Sequence, residues 1–151
     1  MRAVIQRVSH ARVEVGESTK GAIEMGLMVL LGITDSDGEK DIQWLVKKIS
    51  NLRIFNDEAG KMNLSVKDVG GDLLVISQFT LFADCKKGNR PSYIRSARPE
   101  ISVPLYEQFL AHLRSEFPGK VETGEFGAMM EVSLLNSGPV TIILDSQNPS
   151  F

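Results

Sequence analysis

Residues 26–34, GLMVLLGIT, form an unbroken apolar run with no charged residue in it. A run this short and this rich in Leu, Val and Ile reads as a central strand buried on both faces of a sheet. GGDLLVISQFTLF, at 70–82, reads as a second strong strand opened by a flexible Gly-Gly pair. The first stretch, MRAVIQRVSHARVEV, alternates as one or two further strands, with Val4, Val8, Val13 and Val15 as β-formers.

Between these runs the period changes. Ile42, Leu45, Val46, Ile49 and Leu52 fall at helical spacing, with acids before them and Lys47, Lys48 and Arg53 later. That order of charges suits a helix macrodipole. NDEAGKMN, at 56–63, is a turn or loop. ISVPLYEQFLAHLRSEFPG predicts a second helix, with Ser102 as N-cap, Pro104 in the first turn and a stripe of Leu105, Phe109, Leu113 and Phe117. Pro118-Gly119 stops it. The expected fold is mixed α/β: one compact domain over 1–151, with a sheet or barrel-like core and two main helices.

Bulk numbers exclude several classes. Apolar residues are 42% and charged residues 24% of the 151, ordinary values for a soluble globular protein. No apolar stretch approaches the roughly 20 residues needed to cross a bilayer, and the N-terminus lacks a signal-peptide pattern. The single cysteine, Cys85, leaves no intrachain disulfide and fits a reducing cytoplasm. With only His10 and His112 beside it, a zinc site is not expected. The net charge of −2 gives no global hint of nucleic acid.

Its distribution does. From Cys85 to Pro99 the chain carries Lys86, Lys87, Arg90, Arg95 and Arg98 and no acid, while Asp84 and Glu100 bracket the stretch. Gly88, Asn89, Pro91 and Ser92 indicate a loop, and Tyr93 offers an aromatic plane within it. Cations on a loop with a stacking residue suit RNA phosphates and unstacked bases. The competing reading is a solvated loop that only keeps the protein soluble.

Two stretches suggest chemistry. In SQFTLFAD, Ser77, Gln78 and Thr80 set polar groups at the end of an apolar strand, where side chains can reach a cleft. Thr80 or Ser77 could be a nucleophile, but a neutral hydroxyl needs a base within reach. No Ser-His-Asp or Cys-His signature and no glycine-rich phosphate loop is present. Ser77 and Thr80 could instead merely satisfy backbone groups. In LLNSGPVTIILDS, Gly138-Pro139 interrupts two runs that both read as strand. The plain explanation is a hairpin turn; the alternative is backbone presented to a ligand.

Together, SQFTLFAD, KKGNRPSY, TGEFGAMMEV and NSGPVTI, with Gln6-Arg7 near the start, resemble the D-aminoacyl-tRNA deacylases over essentially the whole chain. The resemblance implies hydrolysis of the ester joining a D-amino acid to the 3′ adenosine of tRNA, and of glycine mischarged on alanine tRNA. It implies a cytoplasmic homodimer with active sites at the subunit interface, tRNA as partner, and neither membrane, DNA, cofactor nor metal. Ser77, Gln78, Phe79 and Thr80 would line the catalytic pocket. Gly138 and Pro139, flanked by Ser137, would form a cis peptide entering the partner's site, with Arg7 bracing that loop. Phe126 would lie near the adenosine, Met129 would join the residues that bind substrate around the chiral filter, and Lys86, Lys87, Arg90 and Arg95 would grip tRNA. Backbone amides near Gln78 and Phe79 could stabilise an oxyanion, and the ribose 2′-hydroxyl could assist water. The other readings are a non-catalytic RNA-binding module and a small-molecule esterase using Thr80.

Overall fold

The structure is a computed structural model, and it describes residues 1–150. Its spine is β1 (Arg2–Val15), a 14-residue strand paired along both edges. On one edge lie β2 (Ser18–Ile23) and β3 (Gly26–Gly32), both antiparallel to β1. Ala11 pairs with Ile23 and Val8 with Gly26, so β2 and β3 run on as one bent ribbon along the same edge. Along the other edge runs β8 (Glu131–Asp145).

β3 then pairs in parallel with β6 (Asp72–Ser77), and β6 with β7 (Val121–Thr123). The sheet curls until β2 meets β7 and comes close to forming a closed barrel. At Gly21 of β2 a Cβ would stand 2.8 Å from the Thr123 carbonyl. Only a bare backbone fits that crossing.

Both apolar runs alternate between two packed faces. Leu27, Val29 and Leu31 of β3, with Leu73 and Val75 of β6, join one core, which α1 (Glu39–Asn51) and α2 (Pro99–Glu116) cover. Met28, Leu74 and Ile76 face a second, smaller core inside the curled sheet. Each fully buried Leu or Ile there contributes roughly 1.5–3 kcal/mol. β1 serves both cores: Ala3 and Ile5 face the first, while Val8, Ala11 and Val13 face the second. A register shift between Val8 and His10 reverses the parity that strict alternation would impose. NDEAGKMN lies across a small hairpin, β4 (Phe55–Asn56) and β5 (Met62–Leu64).

Three expectations need correction. The run at 70–82 is not one strand, because β6 ends at Ser77 and Phe79–Phe82 form a 3-10 helix. Ser102 does not cap α2. The helix begins at Pro99, which needs no hydrogen-bond donor there, and Arg98 is the extended cap residue. Ser102 Oγ donates instead to the Arg98 carbonyl at 3.0 Å, Pro104 lies inside the helix, and Tyr106 and Leu110 are buried while Leu105 is only half-buried.

Nor does Gly138-Pro139 turn a hairpin between short strands. β8 is continuous, and residues 137–140 stand where β1 offers only Arg7, between the pairs Val8–Asn136 and Gln6–Thr141. The pair therefore sits in a bulge of a long strand. Its two halves cover different cores, Val132 and Leu134 the smaller, Val140, Ile142 and Leu144 the larger.

Candidate active site

At the carboxyl ends of the parallel strands β3 and β6 a cavity of about 580 Å³ opens. That volume falls within the roughly 300–1,000 Å³ of small-molecule sites. Ser77 and Gln78 enter it from the end of β6, and Phe79 from the first position of the 3-10 helix. The short helix follows because the Gln78 amide still bonds across to the Leu31 carbonyl at 2.7 Å, after which the chain turns away. Phe126 and Met129 come from the loop before β8. Met129 is 89% exposed and Phe79 57%, so the cavity has an apolar, open rim. Phe126 leans on the buried Tyr106 ring at 5.5 Å. Tyr106 donates to the Val75 carbonyl at 3.0 Å, and burial pushes its hydroxyl pKa up, so that donor stays protonated.

Among the described residues, no carboxylate, His, Lys, Arg or Cys lines this cavity. Its polar groups are hydroxyls, the Gln78 amide and backbone. Thr80 lies just behind, and its Oγ1 accepts a hydrogen bond from Gln78 Nε2. The Gln78 N–H is committed to the Leu31 carbonyl. The amides of Phe79 and Thr80 precede the first in-helix donor, Leu81, and have no partner among the described residues. No group of three His, Cys, Asp or Glu among the described residues is placed to hold a metal.

The basic segment packs against this rim. Asp84 and Ser92 exchange backbone hydrogen bonds at 2.7 and 2.9 Å, closing a loop on which Lys86, Lys87 and Arg90 are all exposed. Tyr93 meets Phe79 edge-on, with ring centroids 5.0 Å apart. Arg95 points elsewhere, to a second recess shared with Arg2, Phe82 and Ile94.

The remaining expected residues do not line the cavity of their own chain. Gly138 and Pro139 are exposed, and the peptide bond between them is cis. Arg7 Nε donates to the Ser137 carbonyl at 3.0 Å, and its Nη1 to the Ile54 carbonyl. Asn136, which sequence reasoning passed over, ties the bulge together: its Oδ1 accepts from the Val140 amide and its Nδ2 donates to Thr141 Oγ1. An Asn at the mouth of a Gly-Pro interruption was a usable signal, because Asn side chains commonly bond nearby backbone.

The family model described as D-Tyr-tRNA(Tyr) deacylase matches residues 4–145. The chain belongs to that family. It is 60% identical to a D-aminoacyl-tRNA deacylase of Bacteroides fragilis and 58% to one of Cytophaga hutchinsonii, each over 98% of this chain and 99% of the relative. Among solved structures it is similar to one titled c-Myc DNA Unwinding Element Binding Protein, at 43% identity and a TM-score of 0.91, covering 96% of this chain and 98% of that one. A probable eukaryotic D-amino acid tRNA deacylase shares the fold, with a TM-score of 0.80 at 17% identity, over 95% of this chain and 97% of that one. The deacylase is thus a hydrolase of the ester bond in D-aminoacyl-tRNA and a proofreading enzyme of translation. No helix among the described residues is long and apolar enough to cross a membrane.

Proposed function

We propose that the deacylase hydrolyses its substrate without a side-chain base, in the cavity at Ser77, Gln78 and Phe79. The observation that carries this reading is the lining itself, which offers no group able to take a proton at neutral pH. An aminoacyl ester is already activated, so a positioned water suffices. Water attacks the carbonyl carbon and yields its proton through the vicinal 2′-hydroxyl of the terminal ribose. The bond to the 3′-oxygen then breaks, that oxygen takes a proton, and free amino acid and tRNA leave. The Phe79 and Thr80 amides face the developing oxyanion, a contribution of about 3 kcal/mol per donor. Phe126 and Met129 flank the adenosine, and Thr80 positions rather than attacks.

Chirality is read by backbone. In this reading the enzyme works as a homodimer, and the Ser137-Gly138-Pro139 bulge of one copy enters the cavity of the other. Its exposure, its absence from its own cavity and its fixing by Arg7 and Asn136 support that role. Carbonyls at that position crowd the direction of an L side chain whatever the amino acid, and glycine on alanine tRNA passes the same filter. Lys86, Lys87, Arg90 and Arg95 contact the tRNA backbone.

The test is hydrolysis of D-tyrosyl-tRNA and L-tyrosyl-tRNA, each ending in adenosine or 2′-deoxyadenosine. Fast release of the D form, an intact L form and slow release from the deoxy substrate are expected. Equal rates on the two D substrates would remove the ribose from the mechanism, and hydrolysis of the L form would remove the filter.

A further inference from the structure

Ser96 lies at the end of the basic segment, 17 residues from Phe79 in sequence, yet its Oγ donates to the Phe79 carbonyl at 2.7 Å. It lines the same cavity. Its own backbone is held on both sides: the Ser96 amide donates to the Tyr93 carbonyl at 3.0 Å, and the Ala97 amide to the Ile33 carbonyl at 2.9 Å. The Tyr93 ring adds an edge contact to the Phe79 ring. The backbone that carries Ser96 is thus anchored, and with it the origin of the Oγ that bonds Phe79.

What it bonds is one end of a peptide whose other end is the Thr80 N–H. A peptide group is planar, and in the trans form its C=O and N–H point in opposite directions. Holding the Phe79 oxygen therefore sets where the Thr80 N–H aims. A donor on the oxygen also polarises the peptide and strengthens its N–H as a donor. The short 3-10 helix bonds its carbonyls from within, and Ser96 adds a donor to this one from another segment.

We propose that Ser96 is a positioning residue for the deacylation reaction, aiming and polarising the Thr80 amide through the Phe79 carbonyl. This rests on the reading above, in which that amide faces the oxyanion. Ser96 touches no reacting atom and binds no part of the ester. Its effect should be felt only as charge develops on the carbonyl oxygen, and so in kcat rather than in KM.

The experiment compares Ser96→Ala, Ser96→Cys and Ser96→Thr with the unaltered chain in steady-state deacylation of D-tyrosyl-tRNA, alongside the amide nitrogen resonance of Thr80. Ser96→Ala should lower kcat about tenfold, with KM within about twofold and a shifted Thr80 resonance. Ser96→Thr should restore both readouts, and Ser96→Cys, a similar size with a weaker donor, should fall between. A rise in KM with kcat unchanged would reduce Ser96 to an anchor of the basic loop and overturn the proposal. An unmoved Thr80 resonance would break the link between Ser96 and that amide. A shifted resonance with unchanged kcat would overturn the proposal by a different route, since the geometry would hold while the Thr80 amide ceased to be an oxyanion donor.

Discussion

The Arg7 guanidinium donates to the Ser137 carbonyl at 3.0 Å, the one residue of β1 facing the four residues by which β8 bulges. Its other anchors are the Ile54 carbonyl and the face of Phe55, 5.9 Å from its centroid. Arg7→Ala should cost roughly 2 kcal/mol in stability, the scale of charge-assisted hydrogen bonds. It should also loosen the bulge, so that L-tyrosyl-tRNA begins to be hydrolysed. Urea unfolding and initial rates on the two enantiomers measure the two effects. Unchanged selectivity would free the bulge from any part in chirality.

Gly138 stands at φ +129, and a Cβ there would meet the Val140 amide nitrogen at 3.0 Å and its Cγ2 at 2.9 Å. Gly138→Ala is strained both by conformation and by contact, at about 1–3 kcal/mol. The enzyme should fold with a lowered unfolding midpoint and a reduced kcat/KM on D-tyrosyl-tRNA. Full activity would show that the backbone here need not approach anything.

Gly26→Ala tests the frame rather than the filter. A Cβ at Gly26 would lie 2.0 Å from the Asp72 carbonyl oxygen, where β3 and β6 begin to pair. Backbone cannot step aside as a side-chain tip can, so the substitution should cost about 3 kcal/mol. A shift of the urea midpoint reports it.

Neutralising Lys86, Lys87 and Arg90 together should weaken tRNA binding and flatten its salt dependence by about one unit of slope per lost phosphate contact. Wild-type affinity and slope in the triple variant would leave the loop a soluble surface only. Single-stranded DNA of matching sequence, used as competitor, distinguishes a demand for ribose from a demand for phosphate alone.

Acid should act through Asp145. Burial raises its carboxyl pKa, but the Arg2 guanidinium at 2.7 Å and the Gln147 amide outweigh that and hold it below 3.8. A depressed carboxylate stabilises the fold above its unfolded pKa and stops doing so as pH falls through the folded value. Asp145→Asn should therefore be less stable than the unaltered chain at pH 7, with the gap closing below about pH 4. Urea midpoints between pH 7 and pH 3 check it.

Local signals carried much of this structure. The run at 26–34 reads as a doubly covered strand because both faces of β3 are packed, and α1 announces itself by period alone. Ser77, Gln78 and Thr80 stood out as polar groups ending an apolar strand, and the first two do line the cavity, while Phe79, named only by the family resemblance, lines it beside them. What stayed hidden depends on partners far along the chain. Residues 134–146 look like two strands with a turn between, and only β1 reveals one strand with a bulge. The Gln78 amide looks available until Leu31 is brought beside it. Ser96 carries no local mark at all, since the carbonyl it bonds lies on another segment.

The long pairing of β1 with β8 also sets an order of assembly. Arg7 and Ser137 are 130 residues apart in sequence, whereas β1, β2 and β3 pair across short turns. On a ribosome the amino-terminal ribbon can fold as it emerges, at about 5–20 residues per second, but one whole edge of β1 must wait for β8. The bulge that holds Gly138 and Pro139 comes into being only when that edge is filled. A nascent or truncated chain can carry every residue of the SQFT strand end and still lack the Gly138-Pro139 bulge. In the mechanism proposed above, discrimination between D and L therefore waits for β8, long after the strand end that holds Ser77 and Gln78 has been made.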